Sequence, residues 1–240
     1  MPMTTPSFKE DHLSQIPALQ MLINLGYEYL SPETALQARQ HQTNQVLLEE
    51  ILRSQLRQIN SIRVSSQADP VPFSDANLAE AIRRLREVPM VDGYLTTCQT
   101  VYDLLTQGIA LEQTIQGNKK SYTLQYIDWV NPANNVYHVT EEYSVMRSGS
   151  NKHYRPDVVL FVNGIPLAVI ECKRPDHKDP MQEAISQHLR NQQPDGIRPL
   201  YLYAQLVLSL ATTEARYATN ATPPEFWAHW EEKLTDDKAT

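Results

Sequence analysis

Two short, wholly apolar runs, Val158–Val162 and Leu167–Ile170, stand in the second half of the chain with Asn163-Gly164-Ile165-Pro166 between them. Runs this short and this continuous read as central strands buried on both faces, and the Asn-Gly pair between them reads as a hairpin turn. Charge sits at the open end of that hairpin: Asp157 precedes the first run, and Glu171 and Lys173 close the second. Acidic residues and lysines are rarely placed on buried strands without partners, because desolvating an unpaired charge costs several kcal/mol. Residues two apart on a strand share a face, so Glu171 and Lys173 project together while Cys172 points the other way.

Short patterns carry little weight here. An acidic residue two before a lysine occurs at Glu171, Asp176, Glu231 and Asp236, and Pro-Asp occurs at Asp157, Asp176 and Asp195. Only Asp157 and Glu171 are joined through two buried strands, 14 residues apart. Their register can be worked out. A strict two-residue turn at Asn163-Gly164 sets Asp157 opposite Ile170, facing away from Glu171. Bringing both carboxylates to one face requires a loop of odd length, such as 163–165, or a β-bulge. The spacing predicts that departure. With it, two carboxylates on a rigid sheet make a hard-oxygen site suited to Mg²⁺, with Lys173 able to orient or deprotonate water or to neutralise an oxyanion. The opposing reading is a buried Glu171–Lys173 ion pair with Asp157 solvated at a strand start.

Around this hairpin the pattern changes once along the chain. Helical spacing covers Ile16–Leu25 (Ser14 as cap, Pro17 in the first turn, Gly26 as stop), Thr43 to about Ile59, Ser74–Val88 and Thr97–Leu105, with Cys98 as a small buried residue of the last. Strand composition follows at Ile109–Gln116, Tyr122–Asp128 and Val136–Met146. After the hairpin come a helix over Asp179–Asn191, strands at Leu200–Leu208 and Glu214–Ala218, and a terminal helix over Pro223–Lys233 with a Phe226/Trp227/Trp230 face. The expected class is α/β: a mixed sheet flanked by helices, with a helical portion over 1–108 and a sheet portion over 109–240, integrated as one domain over 8–233.

Seven glycines in 240 residues, no two closer than nine positions, exclude any G-x-G-x-x-G or G-x-x-x-x-G-K-[ST] phosphate loop. The formal net charge of −7 argues against a nonspecific nucleic-acid coat. It leaves room for a local basic patch, and Arg147, Lys152, Arg155, Lys173, Arg174 and Lys178 supply one around the hairpin. That patch reads equally as a DNA-phosphate contact surface or as a solvated face. The seven histidines, His153 and His177 among them, show no metal-ligand spacing. No apolar run is long enough for a membrane span and no secretory signal core stands at the start, so the expected location is the cytoplasm.

The block Arg155-Pro-Asp157-Val-Val-Leu-Phe-Val-Asn-Gly-Ile-Pro166 through Glu171-Cys172-Lys173 resembles the N-terminal nuclease domain of the R (restriction) subunit of type I restriction-modification enzymes, a PD-(D/E)xK phosphodiesterase. Gly26-Tyr-Glu-Tyr-Leu-Ser-Pro-Glu33, Val46-Leu-Leu-Glu49, Tyr102-Asp-Leu-Leu105 and Tyr126-Ile-Asp-Trp-Val-Asn-Pro132 extend the resemblance from about Phe8 to Trp230. It implies a restriction-endonuclease-like fold, Asp157 and Glu171 as Mg²⁺ ligands with the Cys172 backbone carbonyl as a further one, and Lys173 as the catalytic lysine. It offers Glu10 as an auxiliary acid, although a charge leading the first helix suits the helix dipole equally well. Gln187 matches the glutamine of a Gln-x-x-x-Tyr element, whose tyrosine position is Asn191 here, and Arg155, Arg174 and Asn191 become candidate DNA contacts.

Two functions follow from the resemblance. The first is a Mg²⁺-dependent endodeoxyribonuclease module acting on double-stranded DNA beside methyltransferase and specificity subunits. Its ATP-driven translocation would come from a helicase region outside this chain. The second is a noncatalytic docking or remnant domain that keeps the nuclease fold.

Overall fold

The two apolar runs lie side by side in the middle of a seven-stranded sheet. The computed structural model describes residues 12–65, 67, 69–174, 178–211 and 214–231. The first half contains α1 (His12–Asn24), β1 (Glu28–Tyr29), α2 (Pro32–Gln37), α3 (Glu49–Ile59), α4 (Asp75–Arg86), α5 (Tyr94–Gln107), β2 (Ile109–Ile115) and β3 (Asn118–Leu124). The second contains β4 (Tyr137–Glu141), β5 (Val145–Met146), β6 (His153–Tyr154), β7 (Val158–Val162), β8 (Ile165–Cys172), α6 (Pro180–Asn191), α7 (Arg198–Tyr201), β9 (Leu206–Leu210), β10 (Ala215–Ala218) and β11 (Ala228–His229).

The main sheet runs β1-β4-β7-β8-β9-β10-β11. The β1/β4 and β8/β9 pairs are parallel and the others antiparallel, so the sheet is mixed and flanked by helices, as the α/β expectation required. The pairs β2/β3 and β5/β6 form separate ribbons.

The β7–β8 hairpin shows how sequence becomes register. Asn163 and Gly164 both adopt positive φ (54° and 82°), the conformation of a two-residue I′ turn. Gly164 has a second reason to lack a side chain: a Cβ there would stand 2.6 Å from the Leu48 carbonyl oxygen. The Gly164 carbonyl in turn accepts from the Leu48 amide at 2.9 Å, docking the start of α3 onto the hairpin. Pairing begins as Val162↔Ile165 and Phe161↔Pro166, then slips to Leu160↔Ala168, leaving Leu167 as the extra residue. Pro166 has no N–H for a regular ladder, which suits it to a bulge. Beyond the slip Val158 pairs with Ile170, so the next step outward sets Asp157 beside Glu171. The departure from strict pairing is therefore a bulge within β8, and the turn itself keeps two residues.

The two faces of the sheet differ. Val158, Ile170 and Cys172 pack with Leu19 of α1 in a small apolar cluster. Val159, Phe161, Val169 and Val207 face a larger core that also holds Leu52 of α3, Leu78 of α4, Leu105 of α5 and Ile185 of α6. Asp157 and Glu171 follow the alternation of Val159 and Val169, which turns both toward the α6 side.

Several expected boundaries move, each for a local reason. The first helix already includes His12, so Ser14 does not cap it and Pro17 lies inside it. Residues 43–48 are not helical, because the backbone at Leu48 is engaged by the hairpin turn, and Leu48 itself is the N-cap of α3. Ser74 caps α4 through its side chain, as its residue type suggests. The strand expected at Tyr122–Asp128 begins instead at Asn118 and ends at Leu124, its polar first half held by pairing with β2. Of the strand expected at Leu200–Leu208, the first part is the helical turn α7, opened by Pro199, and only Leu206 onward is strand. The described part of the terminal helix expected at Pro223–Lys233 takes another form: residues 224–226 make a 3₁₀ turn and Ala228–His229 pair with the outer edge of β10. Of its expected apolar face, Trp227 is buried while Phe226 is 70% and Trp230 53% exposed. Cys98 is half-buried rather than buried. Glu10, His177 and the tail beyond Glu231 lie outside the described residues.

Candidate active site

Glu171 is fully buried on β8, the central strand of the sheet with three strands on either side. Burial lifts its carboxyl well above the usual carboxylate range; Asp157 lifts it further, by charge repulsion and by a shared side-chain hydrogen bond, against the opposing pull of Lys173 and Arg190. The two carboxyl groups are thus in contact on one face. Asp157 is positioned by backbone: its Oδ2 accepts from the Cys172 amide at 2.6 Å, and its own carbonyl accepts from Gln15 Nε2 of α1 at 2.9 Å. Since a strand residue sends its N–H and C=O to the same side, the Cys172 carbonyl also leaves β8 toward Asp157. The Cys172 thiol, by contrast, is pushed up to about 12 by burial and the two neighbouring carboxylates, so at neutral pH it is no thiolate ligand.

The link between Glu171 and Lys173 is Gln187 of α6. Its Nε2 donates to Glu171 Oε2 at 2.5 Å, and its Oε1 accepts from Lys173 Nζ at 2.7 Å. One amide thereby serves both charged groups at once. One turn later, Asn191 Nδ2 points at Glu171 Oε1 at 3.4 Å, and the Asn191 Oδ1 has no partner among the described residues. The sheet side adds Ser209 of β9, paired in register with Glu171, whose buried hydroxyl likewise has no partner among them.

Helix α6 is held at this height by His188. The imidazole is fully buried, and its Nε2 lies 2.9 Å from the Leu208 carbonyl, which can only accept. Nε2 therefore carries the proton, and Nδ1 accepts from the Tyr201 hydroxyl at 3.0 Å. Burial pushes the His188 pKa down to about 4.

Asp157, Glu171, Lys173, Cys172, Gln187 and Asn191 thus meet around one hairpin end. Arg155 lies two residues before Asp157 and is exposed, lining an open cleft beside Gln187 and Asn191. Arg174, just past β8, does not line that cleft. Sequence reasoning missed Gln15, His188, Tyr201 and Arg190. None belongs to a spaced pattern, and each matters only through what it touches.

The donor set fits a hard dication. Mg²⁺ is commonly held by one or two carboxylates, completed by water and substrate phosphate, and needs no all-protein cage. Among the described residues no group of three or more His, Cys, Asp or Glu forms such a cage. Asp157 and Glu171, with the Cys172 carbonyl, are the oxygens available for it. A dication there would also relieve the repulsion that raises Glu171.

A model of the family described as type I restriction enzyme R protein N terminus matches residues 7–226. The chain belongs to this family. It is 27% identical over 236 residues to the putative type I restriction enzyme MjaIXP endonuclease subunit of Methanocaldococcus jannaschii, a match covering 95% of this chain and 21% of that one. It is 26% identical over 237 residues to the type I restriction enzyme HindI endonuclease subunit of Haemophilus influenzae, again covering 95% of this chain and 21% of the relative. The chain therefore spans about a fifth of the length of these relatives. In this R-protein N-terminal region the Gln187/Asn191 pair stands where the resemblance implies a glutamine and a tyrosine. Here the second position is an amide aimed at Glu171. Among the described residues no helix is long and apolar enough to cross a membrane.

Proposed function

We propose that the chain is the Mg²⁺-dependent endonuclease module of a type I restriction enzyme, hydrolysing phosphodiester bonds of double-stranded DNA. The observation that carries this reading is the contact between Asp157 and Glu171 at the end of a bulged hairpin, with Lys173 held beside them through Gln187. Asp157 and Glu171 would hold the metal, with the Cys172 carbonyl as a third oxygen. The bound ion would supply a more acidic water and neutralise phosphate charge.

The chain's own residues do the rest. Gln187 holds the Lys173 ammonium at 2.7 Å, aimed so that it can orient the attacking water or meet charge growing on the phosphate. The Cys172 amide fixes one Asp157 oxygen, so that carboxylate cannot rotate away from the site. Bulged strand, helix and amide together give a rigid geometry, which is what positioning in phosphoryl chemistry needs. DNA translocation, and the methyltransferase and specificity subunits, belong to this proposal as functions of regions and chains beyond these residues.

Plasmid DNA incubated with the chain and Mg²⁺ tests it. Cleavage should occur, and both Asp157→Ala and Lys173→Ala should abolish it while each variant still melts cooperatively. Cleavage retained by both variants refutes the reading. A folded chain that never cuts, with or without its partner subunits, favours a noncatalytic docking domain.

A further inference from the structure

Beside the carboxylate site an open cleft of about 610 Å³ lies between the β6–β7 segment and α6. Lys152, Arg155 and Arg190 line it, together with Gln187 and Asn191, the two residues that reach Glu171. The basic residues of this region are not equivalent. Arg147 is held by Asp195, with its Nη2 at 2.7 Å from the carboxylate and its Nε on the carbonyl, and His153 is held by Thr43 at 2.8 Å. Lys152, Arg155 and Arg190 are exposed, and among the described residues none of the three makes a side-chain ion pair or hydrogen bond. Three such cations converge on one concave surface of a chain whose net charge is −7.

We propose that this cleft is a phosphate cradle for the DNA backbone next to the bond being cut, with Arg155, Lys152 and Arg190 as the residues that grip it. The proposal rests on the nuclease reading of the adjoining site. The geometry favours backbone over base recognition. Among the described residues lining the cleft, Tyr154 alone is a tyrosine, phenylalanine or tryptophan, and two guanidiniums already engage its ring, Arg147 at 4.7 Å and Arg190 at 5.0 Å from the centroid. A base finds no open platform there, while a phosphate meets donors on both walls. Shared residues make cradle and carboxylate site continuous, so a strand seated in one passes the other.

Binding of a labelled duplex to the full 240-residue chain, followed by fluorescence anisotropy in EDTA across a salt series, tests the cradle apart from cutting. Replacing Lys152, Arg155 and Arg190 together by Ala should weaken binding by about tenfold or more. It should also flatten the dependence of log K on log salt by about 2 to 3, at about 0.9 for each phosphate no longer neutralised. All three positions are exposed, so cooperative melting accompanies this result, with the melting temperature lowered by no more than the loss of the Arg190–Tyr154 ring contact. Duplexes of only A·T and only G·C pairs should bind within about twofold of each other. A triple variant with wild-type affinity and salt slope overturns the cradle, as does polyglutamate binding as tightly as DNA. If that variant binds normally and the wild type still cuts with Mg²⁺, the cradle fails and the nuclease reading stands. If the wild type binds through these residues and never cuts, the reverse holds.

Discussion

Lowering the pH should loosen the seat of α6 through one side chain. In the folded chain His188 is buried and neutral, donating from Nε2 to Leu208 and accepting at Nδ1 from Tyr201, and its pKa falls to about 4 from an ordinary value of 6.5. In the unfolded chain it titrates near 6.5. Between those values the unfolded state binds a proton that the folded state refuses. The stability contributed by keeping His188 neutral is therefore complete above pH 6.5 and lost as pH falls toward 4. The gap is worth about 3 kcal/mol, at about 1.4 kcal/mol per pH unit. For urea unfolding with a slope of about 2 to 3 kcal/mol/M, that is a midpoint lower by about 1 M. Other groups titrate in the same window, His138 among them, whose pKa is also lowered by burial. The measurement is consequently a difference: urea midpoints of wild type and His188→Gln at pH 7, 6, 5 and 4.5. Gln retains a donor for the Leu208 carbonyl and removes the titration. Wild type should lose its margin over the variant progressively below pH 6.5. Parallel pH profiles in the two proteins would refute the buried neutral imidazole.

Further expectations concern the hairpin and the bridging amide. Gln187→Ala removes hydrogen bonds to Glu171 and to Lys173, each worth about 1.5–3 kcal/mol when one partner is charged. Steady-state cleavage assays should show kcat lower by about ten- to a hundredfold with DNA affinity little changed; an unaltered kcat would show that Lys173 needs no such support. Gly164→Ala meets both a positive φ and the Leu48 carbonyl, so thermal melting should reveal a loss of about 2–4 kcal/mol, and a loss below about 0.5 would contradict the docking of α3 on the turn. Deleting Leu167 removes the extra residue yet leaves Val158 opposite Ile170 and Asp157 beside Glu171; a folded deletion variant should therefore still cut, and one that folds but has lost cleavage would show that the bulge does more than set the register. Phe161→Ala, emptying a fully buried site against Tyr143, should cost about 3–5 kcal/mol in chemical denaturation, and less than about 1 would place that ring outside the core.

Residue order by itself determined much of this protein. The apolar runs Val158–Val162 and Leu167–Ile170, and the charges at their ends, require a buried hairpin with an acidic open end. Their 14-residue spacing also tied any shared face of the two carboxylates to an irregular register, since alternation on a strand has a strict period of two. Local composition was sufficient for Asn163-Gly164 and for most of α4, α5 and α6, because turn and helix preferences act within a few residues. It was insufficient where pairing with distant backbone outweighs local preference. Ala228–His229 follows β10 into a strand instead of continuing a helix, and Asn118–Ser121 is held extended by β2.

The site divides in the same way. Asp157, Glu171 and Lys173 were legible because a buried charge is itself a signal. What holds them was legible only in part: the resemblance singled out Gln187 and Asn191 without saying what they touch, and His188 reads as an ordinary helix residue until α6 is laid across β8 and β9. Only the tertiary structure set one amide between a lysine and a buried glutamate, and brought Arg190 across to the cations of the β6–β7 segment. The physical reason is range: propensity and periodicity are local, whereas the raised pKa of Glu171 and the convergence of three cations are properties of surroundings assembled from segments far apart in the chain.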